Sequence, residues 1–256
     1  MRGLSGKRVI VTGSGRGIGR GIARRLAAEG AVVVVNDVDE SNAEETVSLI
    51  ESEGGEAITG IADVADFDAV ETMVSETVDE LGGVDVLVNN AGWDRIEWFT
   101  DQDPSVWDRL IDINLRGQIN CSRAVADYFV DSETEGTIVN ISSDAGRVGS
   151  SGEAVYAGCK GGVIAFTKTL ARELARNNVN CNVIAPGPAD TPLVAEMRED
   201  SELGDKILGS MENQVPLGRM AEPADIAGAV AFMASEDAAF VTGQVLSVSG
   251  GLTMVD

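Results

Sequence analysis

The chain has 256 residues, 44% of them hydrophobic, and carries 42 Asp and Glu against 19 Lys and Arg, a formal net charge of −23. That length suits one large α/β domain, and the negative balance excludes nucleic acid and anionic membrane surfaces as partners, because both attract positive charge. There is no histidine and the three cysteines form no CxxC pair, which excludes Ser-His-Asp hydrolysis and leaves no metal site expected.

Only four of the basic residues are lysines: Lys7, Lys160, Lys168 and Lys206. Such self-repulsion destabilises a compact fold at low salt, and molar salt shortens the screening length to roughly 3 Å. A halophilic, salt-rich cytoplasm is the expectation; an ordinary acidic mesophilic protein is the alternative. Cys121, Cys159 and Cys181 read as reduced thiols. No apolar run is long enough to span a bilayer, and the N-terminus lacks a signal-peptide layout, so a cytoplasmic protein is expected.

Short β-branched runs at 7–12, 31–36, 57–61, 84–88, 136–141, 180–184 and 244–248 alternate with helical patterns. Seven such runs predict βαβ units and a single-domain, doubly wound Rossmann fold over 1–256 with a seven-stranded parallel sheet. The first run leads into Thr12-Gly13-Ser14-Gly15-Arg16-Gly17-Ile18-Gly19, then a helix through Glu29. A glycine turn at the first strand–helix junction lets a pyrophosphate approach the backbone and the helix N-terminus. Asp37 ends the second run about twenty residues beyond Gly17, where an acid binds the adenosine ribose hydroxyls and repels a 2′-phosphate. That favours NAD over NADP; Arg16, a potential partner for such a phosphate, pulls the other way. Asp37 could instead begin a turn or cap the next helix.

Asp63-Val64 and Asn89-Asn90-Ala91-Gly92 follow the third and fourth runs, at the strand ends where ligands bind in open α/β sheets. A helix from Pro104 carries Asn114 in its middle, where an Asn competes with backbone hydrogen bonds and could kink the helix or sit as a satisfied core amide. The fifth run ends in Ser142-Ser143-Asp144, two hydroxyls that could orient a substrate oxygen. Tyr156 and Lys160 stand one turn apart on the helix over 154–168, whose Gly158, Gly161 and Gly162 predict something packed close to its backbone. The stretch 190–214, interrupted by Gly204 and Gly209, is long and polar and reads as a lid.

The glycine turn, Asp37, Asp63-Val64, Asn89-Asn90-Ala91-Gly92, Asn114, Ser143 and Tyr156-Ala157-Gly158-Cys159-Lys160 together resemble the short-chain dehydrogenase/reductase family along the whole chain. The resemblance implies a catalytic set of Asn114, Ser143, Tyr156 and Lys160, with Ser143 preferred to Ser142 for its distance from the tyrosine. It implies a dinucleotide held by Gly13, Ser14, Arg16, Gly17, Ile18, Gly19, Asp37, Asp63, Val64, Asn90, Ala91 and Gly92, by Tyr156 and Lys160, and by Pro186, Gly187, Ala189 and Thr191. Tyr156 would act as the base, its phenol (ordinarily near pH ~10) made more acidic by Lys160 and a cationic nicotinamide. Ser143 would bind the substrate oxygen, and Asn114 would link Lys160 to solvent through a water. A homotetramer is the family expectation.

Segments such as Asn90-Ala91-Gly92-Trp93-Asp94 and 145–156 are similar to those of 2-hydroxycyclohexanecarboxyl-CoA dehydrogenases, and broadly to 3-oxoacyl-thioester reductases. The leading expectation is an NAD-dependent dehydrogenase of a hydroxyacyl-CoA, with substrate lined by Trp93, Asp94, Trp98, Asp144, Val148, Glu153 and the lid. Arg95, Arg147 and Arg198 are the candidate cations for CoA phosphates. The alternatives are an NADPH-dependent 3-oxoacyl-thioester reductase and a non-catalytic dinucleotide-binding redox sensor.

Overall fold

The computed structural model describes residues 1–255. Its strands are β1 (Arg8–Val11), β2 (Val32–Asp37), β3 (Glu56–Ile61), β4 (Val86–Asn89), β5 (Gly136–Ile141), β6 (Val179–Pro186) and β7 (Val245–Val248). The main helices are α1 (Gly17–Ala28), α2 (Glu40–Ser52), α3 (Phe67–Leu81), α4 (Pro104–Ile111), α5 (Gly117–Asp131), α6 (Ala145–Val148), α7 (Ala154–Leu174), α8 (Pro192–Asp200), α9 (Glu202–Gln214) and α10 (Pro223–Met233). All strand pairs are parallel, in the order β3-β2-β1-β4-β5-β6-β7. The order reverses between β1 and β4, and that switch point opens a crevice at the strands' carboxyl ends.

Successive side chains of a strand point to opposite faces, so each apolar strand feeds two cores. Val9 and Val11 pack with Ile22 and Leu26 of α1 and with Ile226 and Val230 of α10. Ile10 packs on the other face with Val70 and Met73 of α3 and with Val125 and Phe129 of α5. Several acidic residues cap helices: Asp39, Asp66 and Asp103 accept N–H bonds at the starts of α2, α3 and α4. Helix α1 differs. It has no side-chain cap and no acid in its first turn, so its N-terminal N–H groups face the crevice unpartnered by side chains.

Several sequence expectations change. Asn89 belongs to β4 rather than the following loop; it is fully buried and its Nδ2 donates to Ser122 Oγ and Asn140 Oδ1 at 2.9 and 2.8 Å. The helix expected to run through Asn114 is α4, a π-helical turn at Asp112–Arg116, and α5. The glycines of α7 do not all mark close packing. A Cβ on Gly158 would meet nothing within 4 Å, whereas Gly161 is 3.3 Å from the Gly146 carbonyl oxygen by the same measure. The tight point lies across that contact: a Cβ on Gly146 would come 2.6 Å from the Lys160 carbonyl carbon. The stretch 190–214 is two helices, polar outside but apolar inside, where Met197, Leu208, Val194 and Ile207 pack with Ile96. No helix among the described residues is long and apolar enough to cross a membrane.

Candidate active site

A cavity of about 720 Å³ runs along the carboxyl edge of the sheet. One end is built by the first strand–helix junction. Gly17 has φ +56°, and Thr191 and Pro192 stand 3.7 and 3.8 Å from the position of an added Cβ, so a side chain there would fill the passage between the glycine turn and α8. Open backbone and the free N-terminus of α1 together suit an anionic phosphate, which is what a dinucleotide brings. Asp37 closes this end: its Oδ2 accepts the Gly15 N–H at 3.0 Å and its Oδ1 the Asp39 N–H at 3.1 Å. The helix cap is Asp39, not Asp37. Arg16 ion-pairs with Glu196 of α8, so it is already matched by an acid.

The loop after β4 is clamped to the glycine turn. Asn90 Nδ2 donates to the carbonyls of Thr12 and Gly13 at 2.9 and 3.0 Å, and Thr12 Oγ1 accepts the N–H groups of Asn90 and Ala91. Gly13, Ile18, Gly19, Asp63, Val64, Ala91 and Gly92 all line the cavity; so do Pro186, Gly187, Ala189 and Thr191 on the far side. Ser14 does not. It is fully buried and its hydroxyl donates to the Val11 carbonyl at 2.7 Å, so it locks the turn rather than meeting a ligand.

The centre of the cavity holds Ser143, Tyr156 and Lys160. Lys160 Nζ lies 5.5 Å from the centroid of the Tyr156 ring, and both come from one face of α7. The ammonium donates to the Ile141 carbonyl at 3.1 Å, and burial lowers its pKa to about 8. The two serines part company. Ser142 Oγ donates to the Lys160 carbonyl at 2.8 Å and ties β5 to α7, whereas the Ser143 hydroxyl faces that of Tyr156 and favours its ionised form.

Tyr156 departs from the electrostatic expectation. Its hydroxyl is pushed up, not down: burial comes first, then the negative charges of Asp94 and Glu153, and only Ser143 opposes them. Lys160 turns its charge toward the Ile141 carbonyl, so in the protein alone the phenol keeps its proton at neutral pH.

Asn114 is placed behind the cavity rather than on its wall. Its Nδ2 donates to the carbonyls of Trp93 and Leu110 at 2.7 and 3.0 Å, and its Oδ1 accepts the Trp93 N–H at 3.3 Å. A methyl on Gly92 would lie 3.1 Å from Asn114 Oδ1 and 3.5 Å from Lys160 Nζ, so these groups converge at one point.

Trp93, Asp94, Asp144, Val148 and Glu153 line the substrate end. Trp98 does not; it is half exposed and turned away from the cavity. Asp144 is anchored sideways, accepting from Ser247 Oγ of β7 at 2.5 Å. The three arginines expected for CoA phosphates lie off the cavity. Arg95 pairs with Glu97, Arg147 donates to Ser247 and the Val255 carbonyl, and Arg198 is held by Asp205 and Glu212. Arg95 and Arg198 are thus already matched by acids, and Arg147 is engaged by a hydroxyl and a backbone carbonyl.

Sequence reasoning missed Arg109, whose guanidinium stacks 4.0 Å from the Trp93 ring centroid at the cavity wall. The lid expected over 190–214 does line the cavity, but sequence reasoning read it as polar and missed its apolar inner face of Leu193, Val194, Met197, Ile207 and Met211. The available signal was amphipathic spacing within 190–214. Asp94 is the most perturbed acid here. Desolvation, then the neighbouring Glu153 carboxylate, raise its carboxyl well above the usual carboxylate range, against the Arg95 N–H and Lys160.

Known proteins of similar sequence and fold extend over the whole chain. The family profile described as Enoyl-(Acyl carrier protein) reductase matches residues 13–253. The 3-oxoacyl-(acyl-carrier-protein) reductase FabG of Staphylococcus aureus is 41% identical over 249 residues, covering 97% of this chain and 98% of that protein. The (2S)-((R)-hydroxy(phenyl)methyl)succinyl-CoA dehydrogenase subunit BbsD of Thauera aromatica is 38% identical over 252 residues, covering 98% of each. The crystal structure of a protein assigned as a short-chain alcohol dehydrogenase from Sinorhizobium meliloti 1021 superposes with a TM-score of 0.89 at 35% identity, over 97% of this chain and 96% of that one. Sheet order, glycine turn and whole-length similarity together place this chain in the short-chain dehydrogenase/reductase family, and it is an NAD(P)-dependent oxidoreductase.

Proposed function

We propose that this enzyme interconverts a hydroxyacyl thioester and its oxoacyl counterpart, with NAD as the preferred dinucleotide and Tyr156 as the proton carrier. The observation that carries the reading is the meeting of Ser143, Tyr156 and Lys160 in the cavity that also contains the glycine turn and Asp37. A bound nicotinamide supplies the hydride acceptor or donor. The glycine turn and α1 hold the diphosphate, and Asp37 receives the ribose hydroxyls. The Asp37 carboxylate and the engagement of Arg16 by Glu196 both support NAD, since neither welcomes an additional phosphate.

Ser143 hydrogen-bonds the substrate oxygen and stabilises charge that develops on it. Tyr156 stays protonated in neutral solution, which readies it to give a proton to a ketone oxygen. In the oxidative direction it must first lose that proton, and Lys160, held against the Ile141 carbonyl, supplies the neighbouring positive charge. Asn114 acts by position, fixing the Trp93 backbone and the π turn beside Lys160. Helices α8 and α9 form an apolar lid that excludes water from an acyl chain. Trp93 and the lid suit a ring or alkyl acyl group better than a small polar alcohol.

A second reading, an NADPH-dependent 3-oxoacyl-thioester reductase, is favoured by the 41% identity to the Staphylococcus aureus enzyme. Both readings share the chemistry and differ in cofactor and direction, so turnover with each dinucleotide separates them. Tyr156→Phe is expected to lose at least about 10³-fold in kcat while cofactor binding by fluorescence titration persists. Unchanged turnover would reject the Tyr156 assignment.

A further inference from the structure

Three cations line the cavity: Arg16, Arg109 and Lys160. Arg16 is ion-paired with Glu196, and Lys160 donates to the Ile141 carbonyl. Among the described residues Arg109 pairs with no acid and donates no side-chain hydrogen bond; its guanidinium carbon sits 4.0 Å from the centroid of the Trp93 ring. With 42 acidic side chains for 19 basic ones, most arginines find an acid, and this one does not. Arg147, Arg172 and Arg176 also meet no acid, but they stand off the cavity. Arg109 is exposed, so an incoming anion reaches it without displacing a protein partner.

The position of Arg109 says which anion that is. A guanidinium laid over a ring keeps its in-plane N–H fork free, and that fork matches a carboxylate with two parallel bonds. The ring is anchored at the reaction centre. Trp93 bonds the Asn114 side chain through its N–H and carbonyl at 3.3 and 2.7 Å, and a Cβ on the preceding Gly92 would lie 3.5 Å from Lys160 Nζ. A group that reaches Arg109 from a carbonyl held at Ser143 and Tyr156 therefore belongs to the acyl part of the substrate. The phosphates of CoA lie at the far end of the pantetheine arm. Asp94 and Glu153 put negative charge beside Tyr156, which disfavours an anion next to the reacting carbon and leaves a remote one. Leu193, Ile207 and Met211 of the lid offer the carbons in between an apolar surface.

We propose that Arg109 is a specificity-determining anion receptor, and that the preferred substrate is a thioester whose acyl chain ends in a second, free carboxylate remote from the reacting carbonyl. The receptor rests on the hydride-transfer reading above and adds the far end of the acyl group to it. Ser143 and Tyr156 take the reacting oxygen, the lid takes the intervening carbons, and the Arg109 fork takes the terminal carboxylate. A charge-assisted pair of this kind corresponds to about 10- to 10²-fold in kcat/KM.

The test compares two six-carbon 3-oxoacyl thioesters of N-acetylcysteamine, one ending in a carboxylate and one in a methyl group. This handle carries no phosphate. The wild type is expected to favour the carboxylate end by about tenfold or more in kcat/KM, chiefly through KM. In Arg109→Gln that ratio should fall by about tenfold or more. Arg109→Lys, which keeps the charge and loses the planar fork, should fall between. A wild-type ratio at or below one overturns the receptor, and this arm needs no variant to fold. A ratio unchanged in Arg109→Gln, with both substrates slowed equally, overturns it as well and makes Arg109 a prop for Trp93. The same acyl groups on CoA separate the two sources of anion. If Arg109→Gln weakens the methyl-ended CoA thioester and spares its N-acetylcysteamine counterpart, the receptor serves the carrier's phosphates and the acyl assignment falls. If both acyl ends are turned over alike and both require Tyr156, the hydride-transfer reading stands and only the receptor falls. No Tyr156-dependent turnover of any of these thioesters overturns both.

Discussion

Gly146→Ala tests the contact that holds Ser143 against the Tyr156 helix. The added methyl would lie 2.6 Å from the Lys160 carbonyl carbon, 2.7 Å from the Gly161 nitrogen and 2.9 Å from Lys160 Cβ. These atoms form the backbone and side-chain root of a 21-residue helix, so none can swing aside. Over-packing of this kind costs about 1–3 kcal/mol. For a chain of this length each kcal/mol moves the melting temperature by about 2–4 °C, so a fall of about 2–12 °C is expected. The strain has a functional side: α6 begins two residues after Ser143, and pushing it off α7 moves the Ser143 hydroxyl from Tyr156. A displacement near 1 Å lowers kcat by roughly 10²-fold. Gly158→Ala is the matched control on α7. It is exposed with nothing within 4 Å, so it should gain about 0.5–1 kcal/mol from helix propensity and leave kcat unchanged. Urea unfolding and turnover of both variants in one buffer give the answer. A Gly146→Ala protein with the wild-type midpoint and kcat, or a Gly158→Ala protein less stable than wild type, would refute the packing argument.

Lys160→Met should abolish turnover yet raise stability at pH 7. Burial lowers the folded-state pKa from 10.5 to about 8, so the charged form costs about 3 kcal/mol below pH 8, at 1.36 kcal/mol per pKa unit. Between pH 8 and 10.5 the unfolded chain binds more protons, wild-type stability rises, and the variant's advantage shrinks; a variant less stable than wild type at pH 7 contradicts this. Asp37→Ala should narrow the preference for NAD over NADP by about tenfold or more in kcat/KM, and an unmoved ratio argues against Asp37 at the ribose. Burial pushes the thiols of Cys121 and Cys181 up to about 12, so neither should react with Ellman's reagent at pH 8 in the native protein. Release of more than one thiol per native chain would show that these cores open readily.

The seven strands and their parallel, doubly wound arrangement were legible because β-branched runs, helical spacing and short connections are local signals with one economical assembly, whereas the strand order came from the structure. The cavity's parts were legible for the same reason. A glycine turn after a first strand, an acid at the end of a second, and a Tyr and Lys one helical turn apart fix their own neighbourhoods. Residues whose role depends on a distant partner were not legible. Ser14 reads as a ligand contact until its hydroxyl is seen bonded to Val11, and Trp98 and three arginines read as substrate groups until their side chains are seen turned elsewhere.

What the amino-acid order decided alone was the alternation of strand and helix and the chemistry delivered to the sheet's carboxyl edge. Only the tertiary structure decided the electrostatics of that edge. Burial of the Tyr156 hydroxyl, and after it the charges of Asp94 and Glu153 brought beside it from distant parts of the chain, raise the phenol that the Tyr-Lys spacing alone predicts to be lowered. A pKa depends on burial and on every charge within a few ångströms, and those distances are set by packing between elements, which no local pattern encodes.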